Sequence, residues 1–170
     1  DELARRVKET AYLEGEFTLR SGRKSNYYLD KYLFETQPDV LAGLGEAFAE
    51  HCGDHVTLIA GAELGGVALA AATSLATGKP FVIVRNRKKD YGTGKQFEGN
   101  INAQDIVLLV EDIATTGGQV VEAARDIVAA GAKIDRIVAV IDRQEGAREN
   151  IESAGFAFHS LLTKADLGIR

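Results

Sequence analysis

The sequence is poor in cysteine, proline and long apolar runs, and these shortages exclude whole classes of protein. Its 170 residues include one cysteine, Cys52, two prolines and no methionine or tryptophan. A single thiol excludes an internal disulfide framework and fits a reducing compartment, so we expect a cytoplasmic protein. No apolar run is long enough to cross a bilayer, so we expect no membrane partner. The chain begins at Asp1 without an initiator methionine, and we expect a trimmed N-terminus.

Positive charge is also scarce, and it is concentrated in one place. The chain has 20 Lys and Arg residues against 25 Asp and Glu residues, a net charge of −5. This balance argues against a nucleic-acid partner. Between residues 85 and 95, however, several cations accompany a single anion, Asp90. These cations are Arg85, Arg87, Lys88, Lys89 and Lys95. A basic island in an acidic chain predicts a small polyanionic ligand.

The remaining pattern predicts one α/β domain over residues 1–170. Hydrophobic residues make up 45% of the chain, enough for a substantial core. Short apolar runs predict buried strands, and segments of helical periodicity lie between them. The predicted strands are residues 57–60, 81–84, 106–110, 136–141 and 156–162, and the predicted helices are 38–53, 67–76, 118–130, 147–154 and a C-terminal helix. Alternating strands and helices predict a mostly parallel central sheet with flanking helices.

Residues 1–35 precede this alternation and predict a small cap beside the main sheet. Helical spacing predicts a helix over residues 1–13, and residues 17–20 and 26–30 are expected to pair as strands around a turn at residues 21–24. Tyr27 and Tyr28 are adjacent in the second strand. Such a pair could cover a flat ring, or at least one tyrosine could pack the cap itself.

The most informative stretch is residues 105–130, where a buried strand leads into a helix through a glycine pair. Residues 106–110 are all aliphatic, which is typical of a strand covered on both faces. Glu111 and Asp112 follow, and then Thr115, Thr116 and two glycines precede the helix. The first amides of a helix attract anions, and adjacent glycines let the backbone close on a phosphate. Because carboxylates repel phosphate, the two acids are expected to bind sugar hydroxyls or a metal.

Two further segments follow predicted strands and so are expected at the same edge of the sheet. Residues 61–66 form a second glycine-rich loop, which fits neither the GxGxxG fingerprint nor a Walker loop. Arg143 follows the strand at residues 136–141. A strand-end arginine could bind a planar carboxylate through paired hydrogen bonds, or it could form a salt bridge with Asp142 or Glu145.

Four of these segments resemble the orotate branch of the type I phosphoribosyltransferases. Residues 110–117 (VEDIATTG) resemble the family's signature for 5-phospho-α-D-ribosyl 1-diphosphate (PRPP). Residues 17–30, residues 89–92 (KDYG) within the 85–99 loop, and residues 142–145 (DRQE) resemble segments of the orotate branch. The resemblance implies a type I phosphoribosyltransferase fold, with residues 1–35 forming a hood over the base. It also implies transfer of the phosphoribosyl group of PRPP to orotate, giving orotidine 5′-phosphate and pyrophosphate in UMP synthesis.

The resemblance also assigns residues to each part of this reaction. The implied PRPP contacts are Arg85, Lys89, Tyr91, Glu111, Asp112, Ile113, Ala114, Thr115, Thr116, Gly117, Gly118 and Gln119. The implied orotate contacts are Arg20, Tyr28, Leu29, Thr115 and Arg143, and the implied catalytic residues are Arg85, Lys89 and Asp112. Mg²⁺ is expected as cofactor, held mainly by PRPP and water rather than by side chains. A homodimer is expected, with loop 85–99 shared across its interface.

The chain departs from the family pattern at two positions, and two other functions stay open. Some relatives have lysine where this chain has Leu64, and most have lysine where it has Asn86. Arg87 or Lys88 could supply the diphosphate interaction that Asn86 cannot make. The alternatives are a purine phosphoribosyltransferase, which predicts no role for Arg143, and a non-catalytic PRPP-sensing regulator.

Overall fold

The computed structural model describes residues 1–19, 21–86 and 95–169. Within these ranges, helices and short strands alternate along most of the chain. The N-terminal elements are helix α1 (Glu2–Ala11), strands β1 (Tyr12–Thr18) and β2 (Lys24–Leu29), and helices α2 (Lys31–Glu35) and α3 (Pro38–Ala49). The later elements are β3 (Leu58–Ala62), α4 (Gly65–Thr77), β4 (Phe81–Val84), β5 (Phe97–Glu98), β6 (Ile106–Ala114), α5 (Gly118–Ala129), β7 (Lys133–Asp142), α6 (Ala147–Ser153), β8 (Phe158–Thr163) and a 3₁₀ turn (Ala165–Leu167).

The central sheet confirms the predicted α/β architecture. Its strand order is β5-β4-β3-β6-β7-β8, and every neighbouring pair is parallel except β4 and β5. Side chains alternate between the two faces of a strand, and β6 shows the result. Leu108 and Val110 lie in one apolar cluster, whereas Val107 and Leu109 lie in the other. Because both faces of β6 are covered, its aliphatic run has no alternation.

Helices cover both faces of the sheet. Buried side chains of α1, α3 and α4 share the cluster that contains Leu108, and those of α5 and α6 share the cluster that contains Leu109. Gly78, with a φ of 73°, ends α4 in the left-handed conformation that glycine tolerates. Within the described ranges, no helix is both long and apolar enough to span a membrane.

The N-terminal hairpin differs in its bounds from the sequence prediction. The first helix ends at Ala11 rather than Leu13, and β1 begins at Tyr12 rather than residue 17. The ring of Tyr12 stacks on Tyr27 with 5.8 Å between centroids, so tertiary packing favours an extended Tyr12. Tyr27 is therefore the tyrosine that packs the hairpin, which confirms the expectation that at least one of the pair does so.

Other elements were missed or misjudged. Helix α2 was not predicted, and Asp30 caps it by accepting a hydrogen bond from the Tyr32 amide (3.1 Å). Strand β6 continues to Ala114 instead of ending at Val110, because β7 extends alongside it to Asp142. The predicted C-terminal helix was wrong, because residues 165–167 form only a 3₁₀ turn.

Candidate functional site

The loops that the sequence predicts as ligand-binding meet at the carboxyl edge of the parallel sheet. Direct contacts join them in pairs. The backbone amide of Asn86, just after β4, donates to Glu63 Oε1 in the β3–α4 loop (2.7 Å). The Arg143 amide after β7 donates to the Ala114 carbonyl at the end of β6 (3.0 Å). The predicted convergence of the strand ends on one edge therefore occurs.

The segment from Thr115 to Gly118 connects β6 to α5 and presents the start of that helix. Gly117 has a φ of 83°, and a Cβ there would lie 2.9 Å from Ile151 Cγ1, so glycine is required for both conformation and space. Asn150 Nδ2 donates to the Thr116 carbonyl (2.8 Å) and holds the loop. Among the described residues no side chain caps α5, and Thr116, Gly118 and Gln119 are exposed. This helix start can accept an anion.

The two acids after the aliphatic run differ in their surroundings. Asp112 is 3% exposed, with Oδ1 accepting from the Ile113 amide (2.5 Å) and Oδ2 lying 3.1 Å from Lys31 Nζ. Glu111 accepts a hydrogen bond from the Asp112 amide (2.9 Å). Burial, together with the negative charge of Asp112, raises the pKa of Glu111 well above its ordinary value. Both acids lie at the predicted edge, and Asp112 already has a cationic partner there.

The glycine-rich loop between β3 and α4 lies directly against Asp112. A Cβ on Gly61 would lie 2.1 Å from the Gly66 carbonyl oxygen, and a Cβ on Gly65 would lie 1.7 Å from Asp112 Oδ2. Both glycines therefore permit close approach of the backbone. Leu64, where some resembling enzymes have lysine, is 69% exposed and brings no charge to the loop.

If Asp112 contacts PRPP as the resemblance implies, replacing Gly65 with alanine should weaken PRPP binding about tenfold, because the new methyl group must displace the Asp112 carboxylate. Titration calorimetry with PRPP and Mg²⁺ measures this change. Gly43→Ala in α3 is the matched control, since its Cβ would meet only the flexible end of Leu3 at 3.4 Å. Equal affinity in the two variants would contradict a role for the Gly65–Asp112 contact in PRPP binding.

Glu35 lies near these acids, and the sequence analysis did not identify it. It is 3% exposed, and its Oε1 has no hydrogen-bond partner among the described residues. Burial and then the charge of Asp112 raise the pKa of Glu35 to about 8, against the opposing effect of Lys31. The sequence does hold one signal for Glu35: it lies four residues after Lys31, a spacing that places the two side chains on one face of a helix capped by Asp30.

This raised pKa predicts how stability depends on pH. Between about pH 5 and pH 8 folded Glu35 keeps a proton that the unfolded chain has lost. The free energy of unfolding should therefore fall by up to about 1.4 kcal/mol per pH unit as pH rises, and the effect should level off above pH 8. Glu35→Gln cannot ionise and should lack this contribution. Denaturant unfolding of both proteins from pH 5 to 9 measures the difference, and parallel curves would contradict the buried proton.

Arg85 begins the basic segment after β4. Its amide donates to the Gln96 carbonyl (2.9 Å), and Nη1 lies 3.5 Å from Glu98 Oε1. Its Nε is buried without a hydrogen-bond partner in the part of the chain that the structure describes. Arg87, Lys88, Lys89 and Tyr91 lie outside the described residues, and so does Arg20.

Arg143 is held between the end of β7 and the N-terminal hairpin. Its Nη2 donates to the Tyr27 hydroxyl (3.0 Å) and lies 3.7 Å from Glu145 Oε1. Of the two predicted salt-bridge partners, Glu145 is the one that Arg143 approaches, at 3.7 Å. The Tyr27 hydroxyl is nearer to Arg143, although Tyr27 lies 116 residues away in the sequence. A cavity of about 380 Å³ opens beside it, and its charged lining is Arg23, Lys24, Arg143, Glu145 and Lys164. Among the described residues that line this cavity, four cations against one anion favour an anionic ligand.

The other predicted base contacts differ in accessibility. Tyr28 is 44% exposed and packs on Phe17, with 5.7 Å between ring centroids. The side chain of Leu29 is buried in the core, so only its main chain could reach a ligand. Sequence reasoning missed Lys31, Tyr27 as the partner of Arg143, and Lys164. No local pattern marks Lys164, because the fold alone brings it to the cavity.

Comparison with known proteins finds matches in both sequence and fold. Residues 34–160 match the family model described as the phosphoribosyl transferase domain. The chain is 48% identical to the orotate phosphoribosyltransferase of Natronomonas pharaonis, over 90% of this chain and 87% of the relative. It is 47% identical to that of Pyrococcus horikoshii, over 95% and 88%. The crystal structure of Mycobacterium tuberculosis orotate phosphoribosyltransferase in complex with PRPP superposes with a TM-score of 0.85 at 32% identity, covering 99% of this chain and 98% of that one.

Proposed function

The chain belongs to the orotate phosphoribosyltransferase family, and we propose that its reaction takes place at the carboxyl edge of the parallel sheet. It is a pentosyltransferase that transfers the phosphoribosyl group of PRPP to orotate, giving orotidine 5′-phosphate and pyrophosphate in pyrimidine synthesis. The observation that carries the placement is the convergence of a helix start, two acids and a strand-end arginine on one edge.

The helix start at α5 would bind the 5′-phosphate of PRPP. The hydroxyls of Thr115 and Thr116 and the amides from Gly117 to Gln119 supply donors, while Ile113 and Ala114 continue the strand that presents them. This contact is remote from the reacting carbon, so its binding energy can orient C1′. Glu111 and Asp112 would accept hydrogen bonds from the ribose hydroxyls.

The reaction breaks the C1′–diphosphate bond and forms a bond from C1′ to N1 of orotate, which loses its proton. Positive charge builds on the ribose and negative charge on the departing diphosphate. Arg85 and Lys89, with Tyr91 beside them in sequence, would stabilise that negative charge, which makes Arg85 and Lys89 catalytic residues. The unpartnered Arg85 Nε, buried among the described residues, supports a ligand contact there.

Orotate would lie between the hairpin and β7, with residues 1–35 capping it. The paired donors of Arg143 suit its planar carboxylate, and the surplus of cations around the adjacent cavity suits its charge. Arg20, Tyr28, the main chain of Leu29 and Thr115 would border the ring. We propose that residues 1–170 form one domain in which the cap and the sheet both contact the substrate.

The residues at this edge fit Mg²⁺ that arrives bound to PRPP. Asp112, which is buried, already has Lys31 as its cationic partner, and the pKa of Glu111 is raised by burial and by Asp112. Neither acid is therefore well prepared to supply a metal ligand. When bound, Mg²⁺ would neutralise charge on the diphosphate, held mainly by PRPP oxygens and water.

A base panel tests this function directly. Purified protein with PRPP and Mg²⁺ is offered orotate, uracil, adenine, hypoxanthine or guanine, and pyrophosphate release is measured. We expect release with orotate alone. Release with a purine would identify a purine phosphoribosyltransferase, and PRPP binding without release with any base would identify a regulator.

The hydroxyl of Tyr27 is expected to position Arg143 for orotate. Tyr27→Phe keeps the ring that stacks on Tyr12 but removes the acceptor 3.0 Å from Arg143 Nη2. We expect the KM for orotate to rise about tenfold, because a hydrogen bond to a charged group is removed, while the KM for PRPP stays unchanged. Tyr12→Phe is the control for loss of a hydroxyl in the same stack. A proportional rise in both KM values would contradict the specific role of Tyr27.

We further propose a cytoplasmic homodimer in which loop 85–99 of one protomer completes the site of its partner. The resemblance supports this arrangement, and complementation tests it. Lys89→Ala and Arg143→Ala chains, each with lowered activity alone, are mixed and assayed. Regained activity supports donation of the loop between protomers, whereas a mixture no more active than its components contradicts it.

A further inference from the structure

Lys31 lies at the proposed sugar site, although the sequence motifs do not include it. It is the first residue of α2, which directly follows the hairpin strand β2. Its Nζ lies 3.1 Å from Asp112 Oδ2, and it also lies 5.4 Å from the centroid of the Tyr32 ring. The ion pair therefore joins the hairpin region to the strand that carries the acids.

The ion pair matters because its carboxylate is buried. The Asp112 side chain is 4% exposed, whereas that of Lys31 is 38% exposed. A buried carboxylate without a partner is strongly disfavoured. Here Oδ2 is balanced by Lys31, while Oδ1 accepts a hydrogen bond from the Ile113 amide (2.5 Å). Gly65 leaves room for this orientation because it has no side chain. Three elements, α2, α4 and β6, thus fix one carboxylate.

We propose that Lys31 is a positioning residue for the transfer reaction, holding the negative charge of Asp112 in the one orientation that accepts a hydrogen bond from a ribose hydroxyl of PRPP. This inference rests on the proposed function, because it assigns a sugar contact to Asp112. Lys31 acts through Asp112 rather than on the diphosphate, since its ammonium group is already bound to the carboxylate.

Glu35 is the other ionisable group of α2 that interacts with this carboxylate. It is buried one helical turn from Lys31, and its pKa of about 8 leaves it mostly protonated at neutral pH. Lys31 therefore balances the charge of Asp112 without competition from an ionised Glu35. Glu111, the other neighbouring acid, also has a raised pKa.

The test compares two ligands that differ in the sugar. Titration calorimetry measures the Kd of Lys31→Gln and Lys31→Arg for PRPP and for inorganic pyrophosphate, each with Mg²⁺. Lys31→Gln should bind PRPP about tenfold more weakly and pyrophosphate within about twofold of wild type, because pyrophosphate has no hydroxyl for Asp112. Lys31→Arg should recover PRPP affinity to within about threefold. Lys133→Gln is the control for loss of a lysine, because Lys133 is exposed at the first residue of β7, away from the carboxyl edge of the sheet.

A double-mutant cycle tests whether Lys31 acts through Asp112. In an Asp112→Asn background, Lys31→Gln should change PRPP affinity less than about twofold, because no carboxylate is left to position. This double variant also has no unbalanced charge, so it provides a folded reference if Lys31→Gln alone is unstable. Additive effects, or equal weakening of pyrophosphate binding, would overturn the proposal. Wild-type protein that fails to bind PRPP would refute the proposed function itself, whereas unchanged PRPP affinity in Lys31→Gln would refute only the role of Lys31.

Discussion

Replacing Lys89 with alanine should lower kcat by about 10²–10³-fold while weakening PRPP binding by less than about fivefold. The reason is that negative charge on the diphosphate grows as the C1′–O bond breaks, so the contact from Lys89 strengthens in the transition state. Removing one such preorganised donor affects kcat more than ground-state affinity. Single-turnover kinetics and calorimetry with PRPP separate the two quantities.

Lys95→Ala removes another cation from the same basic segment and is the matched control. Lys95 is exposed at the far end of the segment, and we expect its loss to change kcat by less than about threefold. Equal losses of kcat and PRPP affinity in Lys89→Ala would show that Lys89 only binds substrate.

Replacing Arg143 with leucine should lower kcat/KM for orotate by about 10–150-fold, with PRPP affinity unchanged. A charge-assisted hydrogen bond contributes about 1.5–3 kcal/mol, and leucine can make none with the orotate carboxylate. The variant should also lose its preference for orotate over uracil, which lacks that carboxylate. Steady-state kinetics with both bases measure the change.

Arg143→Lys distinguishes charge from geometry. Lysine keeps the positive charge but cannot form two parallel hydrogen bonds, so we expect an intermediate loss. Activity with orotate that is intact in Arg143→Leu would contradict the orotate assignment, and the cavity between the hairpin and β7 would then serve another ligand.

Sequence was most informative where a local pattern determines the structure. The aliphatic run of β6 predicted a strand covered on both faces, and Leu108 and Leu109 lie in opposite apolar clusters. Parallel strands place their carboxyl ends at one edge, so the shared location of Glu111, Arg85 and Arg143 followed from the predicted parallel direction of the strands. The tight turn before α5 was likewise predictable, because two adjacent glycines, Gly117 and Gly118, occur there in the sequence.

Sequence was least informative where distant residues determine the structure. Helix α2 has five residues, too few for periodicity to be evident, and it is stabilised by the Asp30 cap and by packing. The Lys31–Asp112 and Tyr27–Arg143 contacts join segments that only the folded chain brings together. Stacking of Tyr12 on Tyr27 likewise ended the first helix earlier than its apolar pattern predicted.

At position 86, where the chain departs from the resembling family, the structure shows a contact made by the backbone. The backbone amide of Asn86 donates to the side-chain carboxylate of Glu63, so this position links the loop before α4 to the start of the basic segment without using the Asn86 side chain. Individual alanine variants of Arg87 and Lys88, which both lie outside the described residues, would show which of the two supplies the diphosphate contact that the resemblance implies at position 86.

A crystal of this protein soaked with PRPP and Mg²⁺ tests the central claim most directly. We predict electron density for the 5′-phosphate against the amides of Gly118 and Gln119, with the ribose hydroxyls within hydrogen-bond distance of Glu111 and Asp112. Density for PRPP at any other surface, or a soaked crystal in which the start of α5 stays free of ligand, would contradict it.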